Sequence, residues 1–329
     1  MTVTIGLLGA GRIGLTHART LANLPAARLA AIAEPSDAAA EAVTDLTEAR
    51  RAEVGEIMAD RAIDAVIIAT PTDLHAAQVE QAARAGKVIF CEKPIDLDAA
   101  RVRACLEVVG DTDTRLMIGF NRRFDSEFQA LKQRIAAGAI GDIETIHLIS
   151  RDHAPPPIAF VERSGGIFRD MMIHDLDMAR FLMGEEFVEV FATGSVLIDP
   201  KIGAAGDLDT AAATLKTASG RIAVITANRR ATYGHDQRAE VHGSKGMIAI
   251  ANQRATSVTV ADAGGYHRDP LLPTFTDRYA EAYRSEMTAF VDAVASGSPL
   301  SPDGEDGLRA LELADAALRS SETGMTVRL

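Results

Sequence analysis

An apolar run, a glycine-rich turn and an amphipathic stretch open the chain: Val3 to Leu8, then Gly9-Ala10-Gly11-Arg12-Ile13-Gly14, then a helical pattern from Leu15. No other feature constrains the fold as strongly, because this order reads as strand, tight turn and helix. A pyrophosphate needs bare backbone N–H groups at a helix N-terminus, where the dipole is positive, and a Cβ at Gly9 or Gly11 would hold phosphates away from it. Gly14 then lets the helix lie close on the sheet. The next apolar run, Arg28 to Ala33, ends at Glu34, twenty residues past Gly14. A carboxylate there accepts hydrogen bonds from the ribose hydroxyls of an adenosine. The segment predicts a dinucleotide site made by Gly9, Gly11, Arg12, Ile13, Gly14 and Glu34. A structural glycine turn with a solvated glutamate is the alternative.

Apolar runs alternate with amphipathic stretches through the first 120 residues, the pattern of a parallel sheet covered on both faces. Strands are expected at Thr2–Leu8, Arg28–Ala33, Ala65–Ala69, Lys87–Cys91 and Arg115–Gly119, and helices at Ile13–Leu24, Asp37–Arg51, Leu74–Ala85 and Leu97–Val109. After Gly119 the rhythm changes. A helix near Ser126–Ala137, the segment Ile143–Ser150 and a helix at Met172–Leu182 lead into strand-like segments at Val188–Leu197, Thr210–Thr217, Ile222–Asn228, Ala239–Gly243, Met247–Ala251 and Ser257–Val260. These predict a large, mostly antiparallel open sheet, with sequential pairing the economical topology. Helices at Arg278–Ala295 and Gly304–Ser320 close the chain. The expected fold is α/β: a doubly wound parallel domain over 1–120, then an α/β domain over 121–329, with the last helices free to pack back on the first domain.

With 329 residues, 47% hydrophobic and 24% charged, two ordinary cores can be buried without disulfides or metal. A net charge of −12 argues against nucleic acid as a partner. Cys91 and Cys105 lie apart from any C-x-x-C or histidine-rich spacing, so buried thiols in a reducing compartment are expected, with neither disulfide nor zinc. No apolar run approaches the roughly 18 residues of a membrane span, and no basic leader precedes the first strand. A cytoplasmic location follows by default.

Three further clusters stand at strand ends or helix starts. In Thr70-Pro71-Thr72, the hydroxyls either cap the following helix or face a ligand at the carboxyl edge of the sheet, with His75 a contact or a surface residue. Glu92-Lys93-Pro94 ends a buried strand, where a lysine is costly to desolvate unless something polar meets it; a salt bridge to Glu92 is the plain reading. In Gly165 to Asp177, Asp170 is an adequate N-cap, and Asp170, His174 and Asp177 fall on one face if the helix runs through. A metal site there lacks a third nitrogen or sulfur ligand. A histidine oriented by a carboxylate is instead what a general base for an alcohol requires.

Gly9 to Gly14, Thr70-Pro71-Thr72, Glu92-Lys93-Pro94 and Asp170 followed four residues later by His174, in this order, resemble the Gfo/Idh/MocA oxidoreductase family along nearly the whole chain. Gly119 to Asp125 and Gly165 to Leu182 are most similar to its bacterial inositol 2-dehydrogenase branch. The resemblance implies that Lys93 contacts both the reacting hydroxyl and the cofactor, that His174 is the base, and that Asp170 binds substrate and tunes the pair. It also implies homotetramers through the open sheet, and a short strand between Glu34 and Asp64, where Asp45–Arg51 reads as helix. Glu92 and His75 join the expected cofactor contacts, and Arg122, His153, Tyr233, His235 and Gln237 the expected substrate contacts; a proline-stiffened surface turn also explains 151–157.

Glu34 opposes the 2′-phosphate of NADP, and Pro35 and Ser36 offer no compensating cation, so NAD is the expected cofactor. The expected reaction is oxidation of a cyclic polyol, myo-inositol at its axial hydroxyl, by hydride transfer. Another cyclic polyol or sugar is the enzymatic alternative. A non-catalytic dinucleotide sensor is the other class, and the presence of both Lys93 and His174 argues against it.

Overall fold

The computed structural model describes residues 2–329. The chain begins β1 (Val3–Leu8), α1 (Arg12–Ala22), β2 (Ala27–Ala33), α2 (Asp37–Thr44), β3 (Arg50–Arg51), α3 (Val54–Ala59), β4 (Ala65–Ile68), α4 (Thr72–Arg84), β5 (Val88–Glu92), α5 (Ala99–Asp111) and β6 (Leu116–Gly119). It continues with α6 (Ser126–Ala136), β7 (Ile143–Arg151), α7 (Ile158–Val161), α8 (Ile173–Met183), β8 (Phe187–Ser195), α9 (Pro200–Ala204), β9 (Thr210–Thr217) and β10 (Ile222–Asn228). The remainder is β11 (Asp236–Gly243), β12 (Gly246–Ile250), β13 (Thr259–Asp262), β14 (Gly265–Arg268), α10 (Phe275–Arg278), α11 (Ala280–Ser296), α12 (Gly304–Thr323) and β15 (Val327–Arg328). Two compact units result, one of residues up to Phe124 with Glu281–Leu311, the other of Asp125–Ala280 with Glu312–Leu329.

The first unit is a parallel sheet in the order β3-β2-β1-β4-β5-β6. That is the doubly wound dinucleotide-binding order. Ile5, Leu7, Leu8, Ile67 and Phe90 are buried from both sides, which is why these strands read as continuous apolar runs. Each such side chain contributes about 1.5–3 kcal/mol. Met287, Phe290 and Val291 of α11 complete this core. One expectation fails here: α2 ends at Thr44, and Arg50–Arg51 is a strand pairing with Ala31 and Ile32. An edge strand of this length buries neither side chain: both arginines are exposed, paired at the surface with Asp60 and Asp37, so no side-chain period announces it.

The second unit holds a seven-stranded sheet in the order β12-β11-β7-β10-β9-β8-β15. Its pairs are antiparallel except β7 with β10. Sequential pairing therefore holds for β8-β9-β10 and β11-β12 but fails at β7, which sits inside the sheet between β10 and β11. The segment near 257–260 is not in this sheet either; β13 pairs only with β14 in a separate hairpin. Alternation decides the buried face. Ile146 and Leu148 of β7, Ala223 and Ile225 of β10 and Val190 of β8 face a core shared with Phe128 of α6, Leu176 of α8 and Leu313 of α12.

Candidate active site

In the first unit, the loops after β1, β4 and β5 share the carboxyl edge of neighbouring parallel strands, where open α/β sheets bind ligands. Gly9 has φ +87°, and a Cβ there would lie 2.7 Å from the Ala69 carbonyl oxygen; at Gly14 it would lie 2.1 Å from that of Gly9. Neither position tolerates a side chain. A Cβ on Gly11, by contrast, meets nothing within 4 Å, so the space over the start of α1 is open, and no side chain caps that helix. The Glu34 carboxylate stands at the end of β2, accepting from the N–H of Ala10 (2.7 Å) and of Ser36 (2.9 Å). Uncapped N–H groups beside a pre-aimed carboxylate fit a dinucleotide with free ribose hydroxyls.

Neither threonine caps α4: Pro71 holds the cap position without a side-chain bond, and the Thr70 hydroxyl donates to Gln78 Oε1 at 2.6 Å. His75 is neither surface nor an open contact. It is 2% exposed, with Nδ1 2.8 Å from the Pro94 carbonyl oxygen and Nε2 2.7 Å from that of Thr70. It thereby braces the Thr70 loop against the loop that carries Lys93. Glu92 meets His17 of α1, Oε1 to Nε2 at 2.7 Å. Lys93 is half-buried, while Arg122 is buried in a 3-10 turn at Asn121–Phe124. Behind Glu92 lies Glu286 of α11; burial, then the charge of Glu92, pushes its carboxyl well above the usual range.

In the second unit, Asp170 does not cap a helix. It lies inside a π turn, Phe168–Met172, that runs directly into α8, whose first residues include His174. Four residues overshoot one α turn and fall short of a π turn, so the junction brings Asp170 and His174 closer to one line along the axis. Asp177, expected on the same face, is buried and approaches Arg180 at 4.0 Å. Asp170 Oδ2 accepts from Arg229 Nη1 at 3.2 Å.

Of the residues expected to meet substrate, His153 is exposed in the loop after β7. Tyr233 is partly exposed, its hydroxyl donating to Asp236 (2.7 Å) and accepting from Arg151 (2.8 Å). Burial pushes Asp236 up, but bonds from Arg238, Asn252 and Tyr233 more than offset it, leaving its carboxyl below the ordinary range. His235 is buried, with Nδ1 3.5 Å from Asp152. Gln237 is fully buried: its Oε1 accepts from Ser150 (2.6 Å) and its Nε2 donates to Asp175 (3.2 Å). Its amide therefore ties β7, β11 and α8 together.

The oxidoreductase family with an NAD-binding Rossmann fold matches residues 3–120, and the GFO/IDH/MocA C-terminal domain matches 128–249. The chain belongs to the Gfo/Idh/MocA family. Among Gfo/Idh/MocA relatives, an inositol 2-dehydrogenase from Rhizobium meliloti is 56% identical over 97% of both chains. A myo-inositol dehydrogenase from Corynebacterium glutamicum has a crystal structure with TM-score 0.96 and 43% identity, covering 100% of this chain and 99% of that one. A scyllo-inositol dehydrogenase from Lactobacillus casei, solved with NAD(H) and scyllo-inositol, has TM-score 0.93 and 34% identity, covering 100% and 99%. This chain is thus an NAD-dependent Gfo/Idh/MocA oxidoreductase. Four of its polar residues escaped the reading of the sequence: His17, Asp207, Arg229 and Glu286. None belongs to a motif with a recognisable spacing, and only burial beside a strand end or the π turn marks each.

Proposed function

We propose that this protein oxidises myo-inositol at its axial hydroxyl to the 2-ketone. The observation that carries the reading is similarity over 97% of the chain to a relative named for inositol oxidation, in a chain that has Lys93, Asp170 and His174. Bound NAD supplies the hydride acceptor. The glycine turn and Glu34 hold its pyrophosphate and adenosine ribose, and the Thr70-Pro71-Thr72 and Glu92-Lys93 loops take its nicotinamide side. His174 accepts the hydroxyl proton as the carbon loses hydride. The Asp170 carboxylate favours the imidazolium so formed, and the Lys93 ammonium holds the developing alkoxide. His153 and Tyr233 reach the remaining ring hydroxyls, with Arg122, His235 and Gln237 supporting the pocket.

In this reading residues 1–120, with the returning segment Glu281–Leu311 packed back on them, form the cofactor domain, and the rest of 121–329 the substrate and assembly domain. The outward face of the second sheet carries Phe191, Val224, Ile222 and Ile149, an apolar surface suited to a second copy and to a homotetramer. No described helix is long and apolar enough to cross a membrane, and both cysteines are free and buried, which supports a cytoplasmic enzyme. Steady-state rates with myo-inositol, scyllo-inositol, D-chiro-inositol and D-glucose test the substrate: the highest kcat/KM is expected for myo-inositol. A preference for glucose or for scyllo-inositol overturns that choice.

A further inference from the structure

We infer that Arg229 is a positioning residue for proton transfer, an assignment that rests on the roles proposed for Asp170 and His174. Arg229 directly follows β10 and is 1% exposed. Its Nη1 donates to Asp170 Oδ2 at 3.2 Å and its Nη2 to Asp207 Oδ2 at 3.1 Å. The Arg229 backbone and the Asp207 carboxylate are themselves tied down. The Arg229 N–H donates to the Asp209 carbonyl oxygen at 2.8 Å, and Asp207 Oδ1 accepts the N–H of Ile167 at 2.8 Å, one residue before the π turn. The guanidinium thus joins the end of β10 and the Asp207 loop to the one carboxylate of the π turn that stands four residues before His174.

Stability alone explains this cluster poorly. Desolvating a guanidinium and two carboxylates costs about as much as their attraction returns, and apolar replacements of such triads are often neutral or better. Direction is what the arrangement supplies: a planar fork fixes the orientation of a carboxylate, which a lysine point charge does not. Charge is the second effect. Two carboxylates share one guanidinium, so the cluster keeps a negative excess near the base and favours its protonated form.

The test compares Arg229→Lys and Asp207→Asn with His174→Ala, reading kcat, both KM values, thermal stability, the pH dependence of kcat/KM, and the His174 titration by NMR of labelled histidine. Arg229→Lys is expected to lower kcat about 10²-fold, the effect of a misplacement near 1 Å, with the KM for NAD unchanged. Asp207→Asn removes negative charge, so the acid limb of the profile and the His174 titration both move down by about half a pH unit. Wild-type kcat in Arg229→Lys together with an unmoved acid limb in Asp207→Asn, while His174→Ala is inactive, overturns the inference. Should Arg229→Lys fail to fold, the near-isosteric Asp207→Asn decides alone, an unmoved limb and titration refuting the role. Turnover retained in His174→Ala instead refutes the underlying assignment of the base.

Discussion

Glu34 shows how one carboxylate sets cofactor choice. It already accepts two backbone N–H groups, so its position is fixed before any ligand arrives. A 2′-phosphate about 4 Å from it would meet a repulsion on the order of 4 kcal/mol per unit charge at an effective dielectric of about 20. NAD is therefore expected to exceed NADP in kcat/KM, and Glu34→Ser to narrow the ratio; equal values in the wild type would contradict the argument. At His174, removal of the proposed base should lower kcat by about 10² to 10⁴ while leaving NAD affinity intact by fluorescence titration. Loss of NAD binding in that variant would mean a structural role instead.

The packing of α11 behind β5 buries a carboxyl, and this element carries a pH signature. Glu286 is fully buried with its carboxyl pushed up, first by burial and then by the charge of Glu92. The native state holds its proton over a range where the unfolded chain has released it, so stability is greatest below the unfolded value near 4.5 and falls as pH rises toward the folded one. Glu286→Gln should raise the Tm relative to wild type at pH 8 and leave it unchanged at pH 4, read by scanning calorimetry. An equal difference at both pH values would refute the linkage. His75 acts at the same scale between α4 and two strand ends. His75→Phe removes the ring N–H that one of these carbonyl groups accepts, a loss of about 1–3 kcal/mol that a lower Tm would report.

For the whole molecule, the uncovered sheet face of the second unit is the feature with the largest consequence. Phe191, Thr214, Val224 and His147 lie in one row across β8, β9, β10 and β7, on the side opposite the core. If that face joins copies, light scattering at micromolar concentration should give the mass of four 34.9 kDa chains. Val224→Asp should then reduce it, because a charge buried between sheets is costly. A monomer mass for the wild type would exclude the assembly.

The parallel sheet and its cofactor turn were legible because their information is local: β1 to α1 is one continuous segment, and strands buried on two faces must be apolar throughout. The glycines at 9 and 14 could be singled out for the same reason, since backbone crowding at a strand-to-helix turn leaves a mark in the residues themselves. The place of β7 inside the second sheet left no such mark, because strand pairing depends on contacts far apart in the chain. Two-residue β3 left no period, and only the resemblance to the family implied a strand between Glu34 and Asp64. Asp170 and His174 stood out as residue types, whereas the π turn that relates them, and the Arg229–Asp207 brace beneath, exist only once β10 and the loop before β9 close on the start of α8. Chemistry resided in the side chains, and its orientation came from buried partners that sequence distance had separated.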